Sequence, residues 1–264
     1  MGLDAPLAIE SLPTEVPVSA ITSVTAEVMA QVDRLAVDRY GIDLLQMMEQ
    51  AGSHLAEVVR IEVGGDLRGR VVVVAAGAGN NGGGGLAAAR HLANRGAAVH
   101  VILARPALRA TPASRHQLAT LLAMGVPCCV MGYDLADGDL DATLAGADVI
   151  VDAVLGYNIA GAPRGEEAQL IEAISCAGRS VVSLDLPSGI DPDSGDAPGA
   201  VLGAAATLTL ALPKLGLLAE RGARHAGRLY LGDLGLPALL YAELGIDAGA
   251  VFAPGRLLRL DPLA

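Results

Sequence analysis

The sequence predicts an α/β fold: a three-layer α/β/α sandwich with a mostly parallel sheet and N-terminal helices. Three observations predict it. From residue 71 onward, short β-branched runs alternate with helix-length stretches. Those runs are apolar on both faces, as strands must be when helices cover both sides of a sheet. Before residue 62, apolar positions instead recur at helical spacing.

The first twenty residues carry Asp4, Glu10, Glu15 and three prolines, and read as a flexible tail ahead of a single domain spanning 21–264. Helices are expected over 24–40 (Val28, Val32, Leu35, Ala36) and 43–61 (Leu44, Leu45, Met48, Ala51, Leu55, Val58), with "YGID" turning between them. "VVVVAA" is the first strand. It runs into the loop "GAGNNGGGG", and "GLAAARHLANRG" is the helix behind it. "AVHVILA", "DVIVDAV" and "SVVSLDL" are the next strands, separated by the helices "PASRHQLATLLAMG" and "EEAQLIEAISCAG". "ATLTLALP" and "GRLYLGDLG" add two more strand-like runs. No internal repeat or long linker interrupts the pattern.

At 264 residues, 52% hydrophobic and 18% charged, the chain has the composition of a folded domain. With only 2% aromatics, its core must be built from Val, Leu, Ile and Ala. A net charge of −11 argues against a nucleic-acid partner, which needs clustered Lys and Arg. The start lacks a basic and then apolar signal pattern. No long apolar run lies outside the strand–loop–helix pattern, so no membrane span is expected. Cys128, Cys129 and Cys176 show no metal-type spacing and read as reduced, buried thiols of a cytoplasmic protein.

Ligands of open parallel sheets bind beyond the carboxyl ends of the strands, so the informative residues are those that follow each apolar run. After "VVVV" comes "GAGNNGGGG". Within "VIVDAVLGYN" lie Asp152 and Gly156. After "VVSL" come Asp185, Ser188 and Gly189. Glycine lets backbone N–H groups approach an anion, and the following helix offers its positive end, so phosphate or pyrophosphate is the natural guest. Gly77, Gly79 and Gly82 satisfy G-x-G-x-x-G, but no Asp or Glu occurs between Leu86 and Tyr133 to hold ribose hydroxyls. A dinucleotide site of the dehydrogenase type is therefore disfavoured; Arg105 suits at best a 2′-phosphate. No Lys-Ser or Lys-Thr follows the glycines, which excludes a P-loop. "DPDSGD" lacks the glycine and glutamate positions of a calcium loop. The amide oxygens of Asn80 and Asn81, with Asp152 and Ser188, form an all-oxygen set suited to an alkali or alkaline-earth ion. Both asparagines also favour turns, and spacing leaves the two readings level.

These residues carry a resemblance. "GAGNNGGGGLAAARHLANRG", "VDAVLGYNIAGAPRG" and "VVSLDLPSGIDPDSG", flanked by "LLQMMEQAG" and "TLTLALPKLGLL", are similar to the NAD(P)H-hydrate epimerase family, the YjeF N-terminal domain. The similarity covers roughly residues 24–240 in five ordered motifs. It implies a Rossmann-like sandwich, a homodimer and a potassium ion held by Asn81, Asp152 and Ser188. It assigns substrate, hydrated NADH or NADPH, to Asn80, Asn81, Gly82, Gly83 and Gly84, to the loop Gly156, Tyr157, Asn158, Ile159, Ala160, Gly161 and Ala162, and to Asp185. It makes Asp185 the catalytic residue, able to serve both as the acid and as the anion beside a cation. A separate ADP- or ATP-dependent dehydratase acting on the same substrate is the implied partner. Two positions depart from the family: Gly84 stands where its loop carries Asp, and Gln50 where it carries Asn. Because of Gly84, the alternative is a non-catalytic nucleotide-binding or scaffold module of the same fold.

Overall fold

The computed structural model describes residues 12–159 and 161–261. Two amphipathic helices come first, α1 (Ala26–Asp38) and α2 (Leu44–Glu62). The Thr25 hydroxyl accepts from the Val28 N–H at the start of α1, and Asp43 and Gln46 form a capping box at the start of α2. Helices α3 (Asn80–Asn94), α4 (Pro112–Ala123), α5 (Asp137–Ala145) and α6 (Gly165–Ala177) are then interleaved with strands β2 (Val71–Ala76), β3 (Ala98–Leu103), β4 (Cys128–Val130), β5 (Val149–Ala153) and β6 (Val181–Leu184). The chain continues with β7 (Ala206–Leu210), α7 (Leu215–Leu218), α8 (Glu220–Ala226), β8 (Arg228–Gly232), α9 (Ala238–Glu243) and β9 (Leu257–Asp261).

Among the described residues, nine strands form one sheet in the order β1-β9-β8-β7-β6-β5-β2-β3-β4, where β1 is Thr14–Pro17. Every pairing is parallel except β8 with β9. Side chains alternate between the two faces. Val72, Val74 and Ala76 join the core under α1–α4, while Val73 and Ala75 join the core under α5 and α6. The expected sandwich and its parallel sheet are therefore present, with helices on both faces.

Four details differ from expectation. Residues 14–17, expected in a tail, add the edge strand β1 by pairing with β9, which the pattern also missed; residues 1–11 lie outside the described residues. The short β4 and the helix α5 fall in a stretch to which the sequence pattern assigned no element. The cysteines are not buried: Cys128 and Cys129 are partly exposed and Cys176 is exposed. The glycine run is not a loop. Helix α3 begins at Asn80, so only Gly77–Gly79 form the turn, and Gly82–Gly85 lie buried inside the helix.

The topology fixes where a ligand can sit. From β2 the chain moves outward to β3 and β4, then returns through β5 to the opposite side of β2. The crevice beyond the carboxyl ends of β2 and β5 is the topological switch point.

Candidate active site

A cleft of about 800 Å³ opens at this switch point, within the size range of small-molecule sites. The turn Ala78–Gly79 and the start of α3 form one wall. No side chain among the described residues caps the α3 N-terminus, which leaves its first N–H groups free to receive an anion. Asn80 is exposed and lines the cleft, as do Asn81 and Gly84.

The other glycines serve packing. A Cβ on Gly83 would lie 2.5 Å from Met48 Cε, and one on Gly52 of α2 would lie 2.6 Å from Ala87 Cβ. Cβ atoms on Gly82 and Gly85 would collide with the Gly77 carbonyl and with Ala153. Glycine here lets α3 lie close against α2, the β2 turn and β5. Gly82 and Gly83, expected at the substrate, are buried beneath the cleft wall.

Asp185 forms the floor. It follows β6, is 3% exposed, and holds φ at +68°, a left-handed conformation uncommon outside glycine. Its amide donates to the Leu208 carbonyl at 2.7 Å, which ties that conformation to β7. Its Oδ1 accepts from Lys214 Nζ at 2.5 Å, and its Oδ2 accepts from the Tyr157 N–H at 3.0 Å. Lys214 is 1% exposed, and its Nζ also donates to the Leu210 carbonyl at 3.1 Å. The Tyr157 hydroxyl donates to Asp33 of α1. Burial holds the Asp33 carboxyl above the usual carboxylate range despite that bond. Burial, reinforced by the Asp33 carboxylate, also raises the Tyr157 hydroxyl.

Beneath the floor, Asp152 is fully buried. It accepts from Ser183 Oγ and from the Ser188 N–H, each at 2.8 Å, from Ser188 Oγ at 2.5 Å, and from the Val154 N–H at 3.2 Å. Burial nevertheless pushes its carboxyl up, and no cationic side chain pairs with it among the described residues. Ser188 Oγ also accepts from the Leu155 N–H at 2.8 Å. Asn81 packs against the adjacent Gly156 and donates to the Leu184 carbonyl at 3.3 Å. The three expected cation ligands are thus gathered in one neighbourhood, and a buried carboxylate with no cationic partner among the described residues fits an alkali ion.

Gly156, Tyr157, Asn158 and Ile159 line the cleft. Gly161 and Ala162 lie beyond its walls, and Ala160 is outside the described residues. Arg105 lines the far end, bound by Glu167 and by Glu166 at 3.4 Å.

A profile of the family described as YjeF-related protein N-terminus matches residues 44–216. The chain belongs to this family. The chain is 42% identical to the NAD(P)H-hydrate epimerase of Dehalogenimonas lykanthroporepellens over 91% of its own length and 94% of the relative's. The bifunctional NAD(P)H-hydrate repair enzyme Nnr of Moorella thermoacetica is 41% identical over 83% of the chain, which spans only 41% of that longer protein. Among solved structures, yeast ynu0 superposes with a TM-score of 0.78 at 25% identity, covering 91% of this chain and all of the yeast one.

Lys214 and Asp33 were missed by sequence reasoning. Lys214 sits in "ALPKLGLL", just past the β7 strand end, so the rule that led to Asp152 and Asp185 would have found it. Asp33 lies on α1, whose polar face reads as solvated until the cleft is built against it.

Proposed function

We infer that this chain interconverts the R and S forms of hydrated NADH and NADPH, as an isomerase of nicotinamide nucleotide repair. The observation that carries the reading is the floor of the cleft, where the buried Asp185 carboxylate is fixed by Lys214 and the Tyr157 amide. In the substrate, carbon 6 of the nicotinamide ring bears a hydroxyl beside the ring nitrogen. Loss of that hydroxyl leaves a cation shared by the carbon and the nitrogen. Water returning to the opposite face inverts the centre. A fixed anion in a site shielded from water stabilises such a cation far better than bulk water does. The uncapped start of α3 suits the pyrophosphate, and the exposed amide of Asn80 offers hydrogen bonds to a sugar hydroxyl. The names of the relatives support the same chemistry.

Potassium belongs to this reading, held by Asn81, Asp152 and Ser188. When bound, it supplies positive charge beside the buried Asp152 and steadies the loop that carries Tyr157. A homodimer and a cytoplasmic location are further parts of the proposal. No helix among the described residues is long and apolar enough to cross a membrane. The bifunctional relatives support a dehydratase as the partner activity; its dependence on ADP or ATP and its action on the same hydrated nucleotide are part of the proposal.

The deciding experiment incubates the wild-type protein with the R form of hydrated NADH, with and without potassium, and resolves the epimers over time. Inversion well above the spontaneous rate is expected. Inversion at the spontaneous rate would sink the epimerase reading in favour of a binding module.

A further inference from the structure

We propose that Lys214 is the proton donor of the epimerisation and that Asp185 supplies only the anion; the assignment rests on the epimerase reading. A lysine ammonium has three N–H donors. Two are used, on Asp185 Oδ1 at 2.5 Å and on the Leu210 carbonyl at 3.1 Å. The third has no acceptor among the described residues, and the side chain lines the cleft. Lysine ordinarily extends its charge into water. This one is held away from it. Its backbone is clamped where the Val24 N–H donates to the Pro213 carbonyl at 2.9 Å and the Leu215 N–H donates to the Val24 carbonyl at 3.0 Å. The Tyr157 ring, 5.5 Å from Nζ, closes one side, and its hydroxyl is in turn tied to Asp33.

Asp185 is poorly arranged to be the acid. Each of its oxygens already faces a donor, Lys214 on one and the Tyr157 N–H on the other. A proton on either oxygen would oppose one of those contacts. The same contacts suit a permanent carboxylate.

The step balances on Lys214 alone. An Nζ proton passes to the oxygen on carbon 6. The carbon–oxygen bond breaks, its electron pair leaves with water, and the ring-nitrogen lone pair forms the C=N bond of the cation. Asp185 faces that cation. The neutral amine then takes up the proton released as water adds at carbon 6, directly or through water in the cleft. The ammonium is restored, and nothing is oxidised or reduced.

The test compares wild type, Lys214→Ala and Lys214→Arg in the epimerase assay, with folding followed by circular dichroism and KM measured alongside kcat. Arginine keeps the charge opposite Asp185 but does not release its proton at neutral pH. Both variants should lose at least about a hundredfold in kcat, the scale of general acid catalysis, with KM changed far less. Methylammonium or ethylammonium added to Lys214→Ala should restore part of kcat in proportion to its concentration. Should the alanine variant fail to fold, leaving Asp185 unpaired, the arginine variant alone decides. An active Lys214→Arg, or a folded Lys214→Ala within a few-fold of wild type, would overturn the assignment and leave the epimerase reading standing. A wild type that does not invert the substrate removes both.

Discussion

Replacing Gly84 with aspartate, the residue that the family resemblance leads one to expect there, should lower stability while tightening substrate binding. Gly84 is the fifth residue of α3, past the first turn where a carboxylate gains most from the helix dipole. A Cβ there would stand 2.8 Å from Leu184 Cδ2 and 3.8 Å from Ala51 Cβ. Leu184 is buried, so its side chain must leave its preferred rotamer, at a cost of about 0.5–1.5 kcal/mol. Helix propensity returns only a few tenths of a kcal/mol, because aspartate is itself a mediocre helix former. The new carboxylate would also enter a cleft that already holds Asp185 and Asp33. The packing and propensity terms leave a loss of up to about 1 kcal/mol, to which the repulsion adds, or roughly 2–4 °C in Tm per kcal/mol for a domain of this size. Gly84→Ala is the control. It meets the same Leu184 contact but gains about 1 kcal/mol of propensity, and should stay within about 0.5 kcal/mol of wild type. Urea unfolding of the three proteins tests the stability terms, and titration with hydrated NADPH tests binding. The added acceptor should tighten binding by about 1–3 kcal/mol where it meets a substrate hydroxyl or amide. An aspartate variant more stable than wild type would refute the Leu184 argument. Unchanged or weaker affinity would mean that this cleft has adapted to hold its ligand without the acid.

Asp185→Asn should lower the epimerisation rate at least about a hundredfold, the scale of a lost electrostatic group, and should cost about 3–5 kcal/mol of stability by stranding the Lys214 ammonium. Normal rates in a folded variant would remove Asp185 from the mechanism. Potassium should raise Tm more than sodium does, and Asp152→Asn should abolish the increment; equal effects of potassium, sodium and a bulky organic cation at matched ionic strength would count against a specific site. Asp33 has a native-state pKa raised by burial above the ordinary 3.8, so the native state holds its proton more tightly than the unfolded chain. Its contribution is therefore full below 3.8 and is lost as pH rises through the native value. The stability of wild type relative to Asp33→Asn should accordingly improve as pH falls towards 3.8; parallel pH–stability curves would show that Asp33 titrates normally.

The alternation of apolar runs and helix-length stretches determined the class of fold, because a parallel sheet covered on both faces demands continuous apolar strands. Reading just past each strand end was enough to find Asp185, Ser188 and the asparagines, and the lone carboxylate near the end of an apolar run marked Asp152, since chain connectivity alone puts those residues on one edge of a parallel sheet. The edge strand β1 and its neighbour β9 carry too little local signal, and their pairing joins segments more than two hundred residues apart. The glycine run looked like a phosphate loop, yet Gly82, Gly83 and Gly85 are set by what lies across from them: the Gly77 carbonyl, Met48 and Ala153. A close approach is a property of two surfaces, and one sequence shows only one of them at a time. The same holds for Lys214. In the sequence it is a single cation in an apolar stretch. Only the fold, by clamping its backbone to Val24 and placing Asp185 at 2.5 Å, turns it into a buried ammonium with one donor left for a substrate.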